Sequence, residues 1–218
     1  MMSFMARPQQ PRRRSDRKHA DRYHHGDLPR ALLHEAVRTI QKQGVDALTL
    51  RGVGDRLGVS RTALYRHFAN KHALLGAVAD EGFRMLRQEL GDAWTSEGGG
   101  RAGFEAMGRA YVGFAVRHPS HYRVMFGRRA GAPDHPPGTP DPGLDAFGGL
   151  VNAIVEQQTL GLVRRDDPQQ LATYVWSVVH GVAMLALDGI LDSPARIREL
   201  TDFAIERLRT GIGPAREP

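Results

Sequence analysis

From Leu28 onward the apolar residues return at every third or fourth position, the period of an amphipathic helix, and no strand pattern appears. Leu32, Leu33, Ala36, Val37 and Ile40 form one face of a first helix that stops near Gly44. Thr49 is placed to cap a short second helix with the stripe Leu50, Val53 and Leu57, ended by Gly58. Ser60 caps a third, in which Leu64 and Phe68 face inward, and Asn70 caps a longer fourth running through Leu74, Leu75, Val78, Phe83, Leu86 and Leu90. Gly98, Gly99 and Gly100 mark a break. Beyond it the pattern predicts helices at about 102–117, 120–127, 143–161, 168–191 and 195–210, with Ser120, Asp141, Asp167 and Ser193 as caps. The segment 128–143 holds five of the 13 prolines and is expected to be a mobile loop. The predicted fold class is all-α.

The second and third helices, joined through Gly58-Val59-Ser60, have the lengths and turn chemistry of a helix-turn-helix, in which the second member lies in the DNA major groove. With Leu64 and Phe68 inward, the outer face presents Arg61, Thr62, Tyr65 and Arg66, a mixture that core packing does not require. Arginine reads guanine through O6 and N7, a threonine methyl meets thymine, and a tyrosine hydroxyl donates to phosphate. Gly52 and Gly54 each cost the second helix about 1 kcal/mol relative to alanine, so this helix is expected to fray or to pack unusually close to a neighbour.

Charge sharpens the picture. Residues 1–90 carry 17 Lys and Arg against 9 Asp and Glu, while the remainder carries 13 against 15. Only the N-terminal part is suited to a polyanion. The absence of cysteine excludes a disulfide framework, a thiol nucleophile and thiolate zinc sites, and points to the cytosol. Apolar stretches such as 175–187 are interrupted by Ser177, His180 and Gly181 and fall short of the roughly 18 residues that span a bilayer, so no membrane segment is expected. The N-terminus lacks the apolar run of a secretory signal.

The run from Leu57 to Lys71, LGVSRTALYRHFANK, resembles the DNA-binding signature of the TetR family of repressors, and the likeness extends over about 28–75. The resemblance implies a three-helix DNA-binding domain joined to a larger helical domain for ligand binding and dimerisation. It implies that Arg51 and Arg61 reach bases, that Thr62 and Arg66 touch bases or sugar, and that Thr49, Tyr65, His67 and Lys71 hold the phosphate backbone, with Ser60 in the same interface. Lys71 stands on the first turn of the fourth helix, where free amides already favour a phosphate. His72 departs from the acidic residue frequent in the family. Trp176-Ser177-Val178-Val179-His180-Gly181 resembles a motif of the branch named for its Trp, His and Gly. The implied organisation is a basic arm over 1–22, a DNA-binding unit over 23–75, a regulatory unit over 76–212 and a tail over 213–218. The implied partners are a palindromic duplex operator, a small-molecule effector and a second copy of the chain, met through the helices at about 168–191 and 195–210. Those helices carry more apolar surface (Tyr174, Val178, Leu185, Ile190 and Phe203 among it) than one core needs. The expected setting is the bacterial cytosol, associated with the nucleoid.

Other chemistry finds little support. His24, His25 and His34 do not share a face at a ligand spacing, so no metal and no cofactor are expected. The chain lacks a Walker loop, a nucleophile elbow and a dinucleotide fingerprint, which argues against an enzyme. Trp176 and His180 stand four apart on one helical face, which fits core packing with a hydrogen-bonded histidine as well as ligand contact. Tyr111, Phe114, Met125, Phe126, Trp176 and His180 are the candidate pocket residues. The alternatives to a ligand-released repressor are a ligand-independent regulator and a nonspecific architectural DNA-binding protein.

Overall fold

The structure, a computed structural model, describes residues 27–127 and 138–213. The expected basic arm, His24 and His25, most of the proline-rich loop and the tail from 214 lie outside the described residues. Among the described residues the elements are α1 (Leu28–Gln43), α2 (Leu50–Leu57), α3 (Arg61–His67), α4 (Lys71–Ser96), α5 (Gly100–Arg117), α6 (Pro119–Met125), α7 (Pro142–Thr159), α8 (Pro168–Leu187) and α9 (Pro194–Ile212), with no strand.

Side-chain oxygens set most helix starts, accepting the amides left free in the first turn. Thr49, Ser60 and Asn70 accept from Gly52, Ala63 and Ala73, at 3.0, 3.2 and 2.9 Å. Asp141, Asp167 and Ser193 do the same for α7, α8 and α9. Ser120 is not a cap, because Pro119 opens α6 one residue earlier and leaves Ser120 buried inside it. Asp27 occupies the cap position of α1 without a side-chain bond. Two helix ends also differ from expectation. Polar residues after Leu90 do not stop α4, which runs on to Ser96, whereas α8 stops at Leu187 and the chain reverses through Gly189 at φ 74°.

Two apolar clusters result. Leu32, Ala36, Ile40, Leu48, Val53, Leu64, Phe68, Leu74 and Val78 gather α1, α2, α3 and the first half of α4. Glu35 is buried beneath them with Arg38 at 2.6 Å and Arg56 at 3.7 Å, and Arg56 also donates to Thr39 at 2.8 Å, which ties α2 to α1. Gly54 packs close: a Cβ there would lie 3.1 Å from the Leu64 side chain. Gly52 stands under the Thr49 hydroxyl, 2.8 Å from where its own Cβ would be. Both glycines thus follow from close approach rather than fraying.

The larger cluster joins Leu86 and Leu90 of α4 to Met107, Phe114, Tyr122, Ile154, Val175, Val179 and Leu208. Gly98, Gly99 and Gly100 carry φ of 72, 73 and 58°, a left-handed run that only glycine adopts at low cost, and they turn α5 back along α4. At 26 residues, α4 is about 39 Å long and belongs to both clusters. By length and composition α8 is apolar enough to cross a membrane, with a mean hydropathy of 1.4, because its polar residues are outweighed by the valines, alanines and leucines around them. One face packs on α5, α7 and α9, as a core helix does, and the other carries exposed Tyr174, Met184 and Leu185.

Candidate DNA interface and candidate ligand cavity

Burial of Leu64 and Phe68 fixes which way α3 turns. Arg61, Thr62, Tyr65, Arg66 and His67 all stand on its exposed side, and Tyr65 keeps 54% of its surface open despite its aromatic ring. Among the described residues neither Arg61 nor Arg66 has an ion-pair or hydrogen-bond partner, so their guanidinium forks are available to an outside acceptor. The other expected contacts are partly committed elsewhere. Thr49 and Ser60 use their hydroxyls as caps, and Arg51 stands 3.6 Å from Asp55. Lys71 is half-buried and donates to the carbonyls of Val45 and Asp46 at 2.9 and 3.3 Å. Its ammonium therefore braces the turn between α1 and α2, with one of three protons left for a phosphate.

In the larger unit, α4, α5, α7, α8 and α9 line a cavity of about 440 Å³ that is open to solvent on one side. Of the six expected pocket residues, Tyr111, Phe126 and Trp176 line it; Phe114, Met125 and His180 do not. Phe114 is fully buried on another face of α5, against His118 at 5.0 Å. Met125 is turned toward α4, where a Cβ on Gly82 would lie 2.5 Å from its sulfur, and it touches both apolar clusters. His180 sits behind the wall. Its Nδ1 is 3.0 Å from the Tyr111 hydroxyl and 2.7 Å from that of Tyr122, and Trp176 Nε1 donates to the Tyr111 oxygen at 2.8 Å. Burial lowers the His180 pKa from its ordinary 6.5, which favours the neutral ring, and in the tautomer protonated at Nε2 its Nδ1 accepts a tyrosine hydroxyl proton. Burial likewise pushes the Tyr111 phenol up to about 12 and raises that of Tyr122. Both tyrosines thus remain hydroxyl donors.

Phe104 and Phe147, inward-facing by helical spacing, line the cavity as well, and sequence reasoning missed Phe83 and Gln157. Helical spacing marks a residue as inward without saying whether the interior there is filled. Among the described residues no group of three His, Asp or Glu side chains is disposed to hold a metal ion.

Two family models match the chain: "Bacterial regulatory proteins, tetR family" over 32–78 and "Tetracyclin repressor-like, C-terminal domain" over 104–208. The chain belongs to the TetR family of transcriptional regulators. These are DNA-binding proteins rather than enzymes, and membership of a family of soluble regulators implies the cytosol. The class A tetracycline repressor of Escherichia coli is 34% identical over 48% of each chain. An HTH-type transcriptional repressor of Streptomyces coeruleorubidus is 28% identical over 84% of this chain and 57% of its own. The chain thus spans about half the length of these two curated relatives. A solved structure of a protein of unknown function from Rhodococcus sp. RHA1 is 34% identical, with a TM-score of 0.75 over 88% of this chain and 99% of that one. A TetR-family regulator from Pectobacterium atrosepticum shares the fold at 23% identity, with a TM-score of 0.68 over 87% and 95% of the two chains.

Proposed function

We propose that this TetR-family regulator is a homodimeric repressor that binds a palindromic operator and leaves it when an apolar small molecule fills the cavity. The observation that carries the reading is the double membership of α4. Phe83, Leu86 and Leu90 line the cavity, and Leu74, Leu75 and Val78 of the same helix anchor the unit that presents α3. A ligand that alters the packing on one half of this helix alters the placement of the other. For release, the ligand must prefer the arrangement that does not fit DNA, since equal affinity for both would shift nothing.

Arg61 and Arg66 read bases, Thr62 contacts a base or sugar, and Tyr65 and His67 hold phosphate, supported by Thr49, Arg51, Ser60 and Lys71. Dimerisation is supported by the exposed apolar face of α8 and α9, where Tyr174, Leu185 and Phe203 are 49, 39 and 57% exposed and Ile190 beyond α8 is 63% exposed. Leu171, Val175, Val182, Ile205 and Leu208, which the apolar pattern of these helices also offered to a partner, are instead buried in the protomer's own core. A symmetric pairing of this face sets two recognition helices about 34 to 36 Å apart, one turn of B-DNA.

The test is selection of random duplexes by the purified chain at moderate salt. A palindromic consensus is the expected outcome. No enrichment at any salt concentration would favour a nonspecific architectural role instead.

A further inference from the structure

The polar groups around the cavity fall into two sets. Near Trp176 the buried polar groups are linked: Trp176 Nε1 donates to Tyr111 at 2.8 Å, Tyr122 donates to Tyr111 at 3.1 Å, and the Tyr111 hydroxyl is left to donate to His180 Nδ1 at 3.0 Å. Toward the ends of α7 and α9, Gln157 is only 2% exposed, lines the cavity, and its side-chain Nε2 has no hydrogen-bond partner. The backbone carbonyl of the same residue accepts from Leu162 and Val163, so the main chain here is held and only the side-chain amide is left over.

A buried donor without an acceptor weakens the folded state, and a ligand that supplies the acceptor removes that penalty on binding. The rest of the wall sets the remainder of the ligand. Phe83, Phe104, Tyr111, Phe126, Phe147 and Trp176 offer ring faces and edges. The charges on the lining are already matched or solvated: Arg209 is bonded to Glu206, Glu105 stands 3.6 Å from Arg109, and Arg101 is exposed. Away from Arg101, an ionised ligand group among these rings has no free counter-charge.

We infer that the cavity takes a neutral, ring-bearing ligand with a hydrogen-bond acceptor of carbonyl type, which draws the buried, unpartnered Nε2 of Gln157 toward the cavity by a turn of its side-chain amide. This rests on the effector reading above and adds to it the chemical class of the effector and the residue that selects it.

Benzophenone and diphenylmethane share two rings and differ in a carbonyl against a methylene, which makes them suitable probes. Each is titrated against N-phenyl-1-naphthylamine, a neutral dye that fluoresces in apolar sites, on the full chain and on Gln157→Leu and Gln157→Met. The expected result is that preference for benzophenone over diphenylmethane falls about tenfold in both variants, the worth of one buried hydrogen bond. The infrared carbonyl stretch of benzophenone bound to the unaltered chain should also lie at lower wavenumber than in hydrocarbon, which needs no variant to fold. An unchanged preference, or an unshifted stretch, overturns the Gln157 anchor and leaves the cavity as the effector site. Carbonyl-selective binding that fails to release a selected duplex overturns the effector reading and leaves the anchor standing. No dye uptake by the folded chain overturns both.

Discussion

Around Leu64 the side chains of α1 to α4 close on one another, while around Tyr111 those of α4, α5, α7, α8 and α9 leave about 440 Å³ unfilled. The first arrangement has little freedom: Gly54 lets α2 approach the Leu64 side chain, and the Glu35 carboxylate holds arginines from α1 and α2. A close-packed core of this kind fixes backbone geometry, so the cations on α3 are held at set positions relative to α4. The second arrangement surrenders contacts at the cavity wall, so the side chains there hold their helices less tightly. Rigidity suits the part that must match a duplex, and internal space suits the response to a small molecule proposed for the other.

The comparison is broken most directly by Leu64→Ala, which removes a side chain that is 2% exposed from the filled core. A loss of about 2 to 5 kcal/mol is expected in denaturant unfolding; a loss below 1 kcal/mol would mean that this core is looser than described. Next in size is Arg61→Ala, which leaves folding intact and costs about 1 to 3 kcal/mol of discrimination between the selected duplex and a scrambled one. An equal loss on both duplexes would show that Arg61 meets phosphate rather than a base. Ser60→Ala removes the cap on α3 and is expected to cost about 1 kcal/mol of stability, measurable as a lower unfolding midpoint, with Ser60→Gly milder.

The smallest effect belongs to the hollow core. Burial depresses the His180 pKa below its usual 6.5, so the stability that comes from the neutral ring is present above that pH and is lost as pH falls below it. Between about pH 7.5 and about pH 5, the Tm of the unaltered chain should fall further than that of His180→Gln, by on the order of 2 °C. Parallel falls would show that His180 is not a source of acid lability.

The legible parts of this molecule are those that local chemistry decides. Ser, Thr, Asn and Asp before an apolar run marked six helix starts, because the capping bond is made within three residues of sequence. The outward face of α3 was legible for a similar reason: Leu64 and Phe68 fix its inner side. Lys71 was harder. Its bonds go to carbonyls about 25 residues away, and nothing near it in sequence announces them. The cavity was least legible, since Phe114 and Phe126 follow the same periodicity yet one is packed solid and the other faces space. Gln157 reads in sequence as one more polar residue on an amphipathic helix.

Because α4 passes unbroken from one cluster to the other, the two units share a shaft rather than a linker. Anyone joining this reader to a different sensor would have to cut within that helix and keep its phase. One extra residue at the splice turns the reader by about 100° about the axis and advances it by about 1.5 Å, whereas seven extra residues, close to two full turns, nearly restore its bearing.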